Sequence, residues 1–175
     1  GGAIYNNGVL GTSSPVITNA TFTGNSANSG QGGAIYNDGS NGTSSPPITN
    51  VTFTGNTADF GGAIYNQGFG GTANPQIANT ILWGNTAPNG PQVFNDSATP
   101  TVAHSLIEGR NPGGSNLDGT DPANDPRFLD VTDPDGADDT PATDDDGLRI
   151  LAGSPALDVG DNAALPGGVT TDLTG

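Results

Sequence analysis

The hexapeptide GGAIYN is written three times, at residues 1–6, 32–37 and 61–66. A second text travels with it: PVITNATFTGN at 15–25, PPITNVTFTGN at 46–56, PQIANTILWGN at 75–85 and a degenerate PTVAHSLIEGR at 100–110. Its successive offsets are 31, 29 and 25 residues, and GPQVFND at 90–96 stands where a fourth GGAIYN is due. A period of this length is the signature of a repeat architecture in which each unit buries its apolar side only by stacking on the next. Four units therefore occupy residues 1 to about 110, the last of them worn.

Composition alone points elsewhere. Phe, Ile, Leu and Val make up under a fifth of the 175 residues, Gly contributes 29 and Pro 14, and the net charge is -15. Those values describe a chain that cannot assemble a bulky core and reads as disordered. The repeat overrides that reading, because stacking supplies order without a large apolar interior. Each unit holds short β-type runs (AIYN, a piece such as VIT, then TFTGN) separated by Gly, Asn, Ser and Pro clusters that mark turns. No helical period is sustained, and Gly-Asn-Thr text does not make the paired helices of helical repeats. The expected fold is all-β: a right-handed parallel β-helix, or solenoid, of about four coils over residues 1–110, with residues 111–175 as a C-terminal capping segment on the last coil. Strands are expected there at 148–151 and 156–159, in LRILAGSPALDVG.

Stacking predicts columns of like residues. Ile4, Ile35, Ile64 and Val93 form one apolar column, Ile17, Ile48, Ile77 and Val102 a second, and Phe22, Phe53, Leu82 and Ile107 a third. Asn6, Asn37, Asn66 and Asn95 align, as do Asn25, Asn56 and Asn85, and Asn19, Asn50 and Asn79. Stacked carboxamides hydrogen-bond along a column, and Asn tolerates the left-handed backbone of a tight corner. Tyr5, Tyr36 and Tyr65 make another column whose side of the sheet the period does not determine.

GGAIYN, TNxTFTGNxA and the worn NTILWGN resemble the right-handed parallel β-helix repeats of bacterial surface proteins, close to the polymorphic-outer-membrane-protein type. The tail DPRFLDVTDPDGADDTPATDDDGLRILAGSPALDVGDN resembles the segment that follows such a helix in large exported proteins bearing C-terminal anchors. The resemblance implies a secreted or cell-surface location and a structural or adhesive role, and it specifies no activity.

Three Arg and no Lys exclude a basic footprint for nucleic acid or an anionic lipid surface. No apolar run is long enough for a membrane-spanning helix, so membrane insertion is not expected. Absence of Cys excludes disulfides and thiol chemistry. The chain opens in mid-repeat, so its expected partners are copies of itself, stacked head to tail as a filament or matrix subunit, or flanking repeats of a longer chain.

Fourteen of the 17 Asp fall after residue 110. In DPDGADDTPATDDD, residues Asp133, Asp135, Asp138 and Asp139, joined by Asp144, Asp145 or Asp146, are expected to supply oxygen ligands to a calcium ion. Calcium takes six to eight oxygens in a flexible shell, and unneutralised carboxylates this dense repel one another. The spacing matches neither an EF-hand nor the calcium-binding nonapeptide; the bland alternative is a solvated acidic loop. Asp158 and Asp161 read as turn caps. His104, the only His, replaces a corner Asn, while Glu108 and Arg110 mark the end of regular stacking and are expected to pair with each other or with the tail. The coils hold only Asp38, Asp59, Asp96 and Glu108, and no Arg before Arg110, which argues against a polysaccharide lyase or hydrolase. The Thr-x-Thr pattern of TFT stops after two coils, too short an array for ice binding. The expected function is a non-catalytic, calcium-stabilised structural or adhesive segment; the alternative is a carbohydrate-binding module in which the Tyr column meets cell-surface glycans.

Overall fold

A computed structural model describes residues 1–141 and 143–169. Residues 1–107 wind as a parallel β-solenoid of about four coils. The first face of each coil carries β1 (Ile4–Asn7), β4 (Ile35–Asp38), β7 (Ile64–Gln67) and β10 (Val93–Asp96), stacked in that order into one parallel sheet. The second face carries β2 (Ile17–Thr23), β5 (Pro47–Thr54), the pair β8 (Gln76–Ala78) and β9 (Ile81–Trp83), and the pair β11 (Thr101–Ala103) and β12 (Leu106–Ile107). A third, two-stranded sheet joins β3 (Ser26–Gln31) to β6 (Thr57–Phe60).

Register follows the sequence period. Ile4 pairs with Ile35, Ile35 with Ile64, and Ile64 with Val93. Ile17, Ile48, Ile77 and Val102 line up next, then Phe22, Phe53, Leu82 and Ile107. These columns form the core: Ile35, Ile48, Phe53, Ile64 and Leu82 are fully buried. The Phe22 and Phe53 rings stack with centroids 5.0 Å apart.

Two details depart from the expected strand text. VIT and TFT are one bent strand in the first two coils and split only later. The bend falls at Asn19, Asn50, Asn79 and His104, each at a φ between 48° and 55°, so His104 does take the corner place of an Asn. The third sheet is built from SANSGQ and TADF, polar text with no strand signal of its own. Its strands exist because the neighbouring coil offers a parallel partner, with Ser26 opposite Thr57 and Ala27 opposite Ala58.

Both glycines of GGAIYN are required, for different reasons. Gly32 and Gly61 lie at φ 66° and 64°, a left-handed turn that costs an L-residue strain. The second glycine meets the next coil: a Cβ at Gly2 would sit 2.2 Å from the Gly33 carbonyl oxygen, at Gly33 2.0 Å from that of Gly62, and at Gly62 2.3 Å from that of Pro91. Each collision is with the following coil, so the series ends at residue 91, where Pro is accommodated. The worn GPQVFND is thus the same motif relieved of the constraint.

Inside, two carboxamide ladders run along the axis. Asn6 Nδ2 donates to Asn37 Oδ1 at 2.7 Å, Asn37 to Asn66 at 2.8 Å and Asn66 to Asn95 at 2.8 Å. In the other, Asn25 donates to Asn56, Asn56 to Asn85, Asn85 to Gln92 Oε1 at 2.6 Å, and Gln92 Nε2 to Glu108 Oε2 at 2.7 Å. Glu108 also accepts from the Gly84 amide.

After the last coil, residues 111–119 lie across its end. Leu117 bridges to Leu106, and Asn116 accepts from the Ser105 amide while donating to the Val102 carbonyl. The chain then runs back along the corner column, where Asn79 holds the backbone of Asp161 through two hydrogen bonds of 2.8 and 2.9 Å. The expected strands at 148–151 and 156–159 do not form. Ile150 makes a single antiparallel bridge to Phe128, and 156–158 is turn, because this segment meets the solenoid through its corner and finds no open strand edge to extend.

The Asn ladder predicts a large cost for one deletion. Asn37→Ala removes a fully buried carboxamide and leaves a donor on Asn6 and an acceptor on Asn66 unpaired. The expected loss is about 2–5 kcal/mol, measured by urea unfolding, whereas Asn89→Ala at an exposed position should change stability far less.

Candidate functional site

Strand alternation decides the facing of the Tyr column. In β1, β4, β7 and β10 the Ile and Asn positions point inward, so Tyr5, Tyr36, Tyr65 and Phe94 share the outer side with Asn7, Asp38, Gln67 and Asp96. The result is a column of touching aromatic rings beside a column of amides and carboxylates. Exposure falls along it: Tyr5 is 51% exposed, Tyr36 half-buried and Tyr65 6% exposed. The rings touch in sequence. Tyr5 and Tyr36 are tilted at 5.0 Å, Tyr36 and Tyr65 meet edge to face at 5.0 Å, and Tyr65 stacks on Phe94 at 5.5 Å. Phe60, from the third sheet, meets Phe94 edge to face at 5.3 Å. Phe60, Tyr65, Phe94 and Asp96 border a shallow hollow of about 390 Å³.

Each hydroxyl reaches diagonally to the next coil. Tyr5 donates to Asp38 Oδ2 at 3.0 Å, Tyr36 to Gln67 Oε1 and Tyr65 to Asp96 Oδ2 at 3.4 Å. Burial, then the negative charge of Asp38, push the Tyr36 phenol well above its ordinary value; Tyr65 is raised by burial and by Asp96. Burial, the Asp38 hydrogen bond and its charge raise Tyr5. Burial works to raise Asp38, but hydrogen bonds from Ser40 and Tyr5 outweigh it and hold that carboxyl below its usual range.

The residues expected to bind calcium do not share one arrangement. Asp138, Asp145 and Asp146 turn toward Thr143, whose hydroxyl lies 2.8 Å from Asp145 Oδ1, 3.1 Å from Asp146 Oδ1 and 3.5 Å from Asp138 Oδ1. Asp144 leans to Arg149 at 3.9 Å instead. Asp133 is held above the usual carboxylate range by partial desolvation and by the charges of Asp135, Asp130, Asp139 and Asp145. Among the described residues, no three acidic or His side chains are gathered into a metal-holding shell. The loop concentrates negative charge around Asp133.

Of the two pairings expected for Glu108 and Arg110, the one with each other does not form, while the Arg110 carbonyl accepts from the Gly119 amide of the tail at 2.8 Å. Glu108 terminates the inner carboxamide ladder, and Arg110 Nη2 donates to the Val93 carbonyl at 2.9 Å. His104 faces the tail, with Nδ1 3.3 Å from the Val159 carbonyl oxygen and Nε2 3.9 Å from Asp161 Oδ2, so it makes no acid–base pair with Glu108. Asp161 caps the turn at Ala163. Sequence reasoning misses the Tyr-to-carboxylate diagonals, although identical spacing in adjacent units and β alternation contain the signal.

Residues 19–38 and 50–67 match the family profile of the Chlamydia polymorphic membrane protein repeat. Each matched stretch runs from a corner Asn through TFTGN to the Tyr strand of the next coil. No curated protein and no solved structure gives a significant match to the chain.

The Tyr–Asp contacts predict an alkaline limit. Phenols raised in the folded state are neutral there, so their contribution to stability is complete below pH about 10 and is lost as pH rises toward their folded values. Spectrophotometric titration should show Tyr36 ionising late, and Asp38→Asn should bring Tyr5 and Tyr36 down, with Tyr36 still above the ordinary value because burial remains.

Proposed function

We infer that this chain is a non-catalytic structural and adhesive segment of a cell-surface protein, with the outer face of β1, β4, β7 and β10 as its contact surface. The observation that carries the reading is the aromatic and acidic column on that face, held rigid by the coils beneath, in a chain whose units resemble a repeat named for a membrane protein. Exposed aromatics with polar neighbours offer contact area at small cost in side-chain entropy, and on this face Tyr5 is the exposed ring. Catalysis fits this face poorly: hydrolysis by paired carboxylates needs one carboxyl kept protonated, and Asp38, on this face, is shifted the other way.

A glycan-facing version of the same surface draws on Tyr5, whose ring is the most exposed of the column. Calcium stabilisation is a further part of the reading. A divalent cation would relieve the repulsion that Asp135, Asp130, Asp139 and Asp145 exert on Asp133.

Beads coated with the chain should adhere to cultured cells, and the double substitution Tyr5→Ser/Tyr36→Ser should lower retention several-fold. Retention no greater than on bare beads, or unaffected by the double substitution in a folded protein, contradicts the adhesive reading. Millimolar calcium should raise the melting temperature by several degrees, and chelator should reverse the rise. An unchanged melting curve with no heat in titration calorimetry contradicts calcium binding.

A further inference from the structure

The returning tail encloses a second feature, away from the Tyr face. Between the corner column and the loops around residues 128 and 148 lies an open cleft of about 420 Å³. Asn50, Thr52 and Thr21 line it from two adjacent coils, and Phe128, Asp146 and Arg149 from the tail. We propose that this cleft binds an extended neutral, β-linked hexose oligosaccharide along the solenoid axis, one sugar residue per coil.

Three observations converge on that chemistry. The cleft combines carboxamide, hydroxyl, carboxylate and guanidinium groups with one aromatic ring and an aliphatic floor that includes Val51 and Ile150. A pyranose needs that mixture, since it presents hydroxyls around its rim and an apolar C–H face. The tail itself demonstrates what a corner carboxamide holds. Asn79 takes the N–H of Asp161 on Oδ1 and donates Nδ2 to its C=O, a paired donor and acceptor. Vicinal sugar hydroxyls present the same pair. The corner carboxamides of the two preceding coils, Asn50 and Asn19, line the cleft beside Asn79, and Asn50 donates one N–H to Asn19 Oδ1 at 3.2 Å.

Spacing and charge narrow the ligand. Corner residues recur once per coil, roughly 4.8 Å apart, a repeat close to the length of one hexose residue in an extended β-linked chain. The net charge of -15 and the acidic loop beside the cleft disfavour uronate, sialylated or sulfated glycans. The inference goes beyond the adhesive reading, which concerns the Tyr face and assigns nothing here.

Titration calorimetry and NMR with cellohexaose and laminarihexaose test it, with hexagalacturonate as the acidic comparator. Saturable binding of a neutral hexaose is expected. Asn50→Gly, which keeps the positive-φ corner but removes the amide, should weaken it about tenfold. Phe128→Ala should weaken it comparably, and because Phe128 lies outside the coils this variant carries the test if Asn50→Gly fails to fold. Tyr5→Ser should leave this binding intact while lowering bead adhesion, which separates failure of this proposal from failure of the adhesive one. No saturable binding of either neutral hexaose, equal affinity in folded Asn50→Gly or Phe128→Ala, or a preference for hexagalacturonate overturns it.

Discussion

The closeness of one coil to the next governs this molecule. At Gly33 there is no room for a single methyl group before the carbonyl of the next coil. Backbones held at that distance pair in one register only, and a slip by one residue would turn the Ile columns outward and the Tyr column inward. Identical residues therefore stand above one another, and a chain short of bulky apolar residues still fills its interior. The core is narrow, but the inner members of a column pack against like residues on both sides.

The same closeness makes buried polar residues an asset. A lone interior Asn is costly, because a carboxamide has more hydrogen-bonding capacity than an apolar core can satisfy. In a column, each donates to its neighbour and accepts from the other side, so that only the ends need special treatment. At the C-terminal end of one ladder, Gln92 and Glu108 supply it, and a carboxylate suits the place because it accepts without needing to donate. Asn116 serves the last coil in a comparable way, pairing with the Ser105 amide and the Val102 carbonyl. The wear of the fourth repeat is therefore adaptation to a terminus: Pro91, Glu108 and His104 each occupy a place where no regular coil follows.

Legibility divides along the same line. Much of what repeats was readable: the apolar columns, two of the three Asn columns as full ladders, the corner role of His104 and the all-β stacked fold, whereas Asn79 of the third column bonds the tail. The polar strands β3 and β6 were not, because their β character comes from a partner coil and not from SANSGQ or TADF themselves. The facing of Tyr5, Tyr36 and Tyr65 needed the strand phase, and with it came the diagonals to Asp38, Gln67 and Asp96. The tail was least legible. Asn79 and Asp161 are 82 residues apart and belong to no period, and alternating apolar residues around 148–151 suggested strands where corner docking prevails. The density of Asp was plain in the sequence, but its division between the Thr143 cluster and the field around Asp133 depends on turns that composition does not encode.

The contacts proposed for this chain draw on rigidity. A solenoid whose coils are fixed by ladders presents surface groups at a constant spacing, on the Tyr face and along the corner alike. Side-chain hydrogen exchange tests the ladders most directly. The Nδ2 protons of Asn37, Asn56 and Asn66 are buried and bonded coil to coil, so the account predicts that they exchange orders of magnitude more slowly than those of exposed Asn41 and Asn89. Equally fast exchange at all five would contradict it, because the columns would then not be the element that holds the coils together.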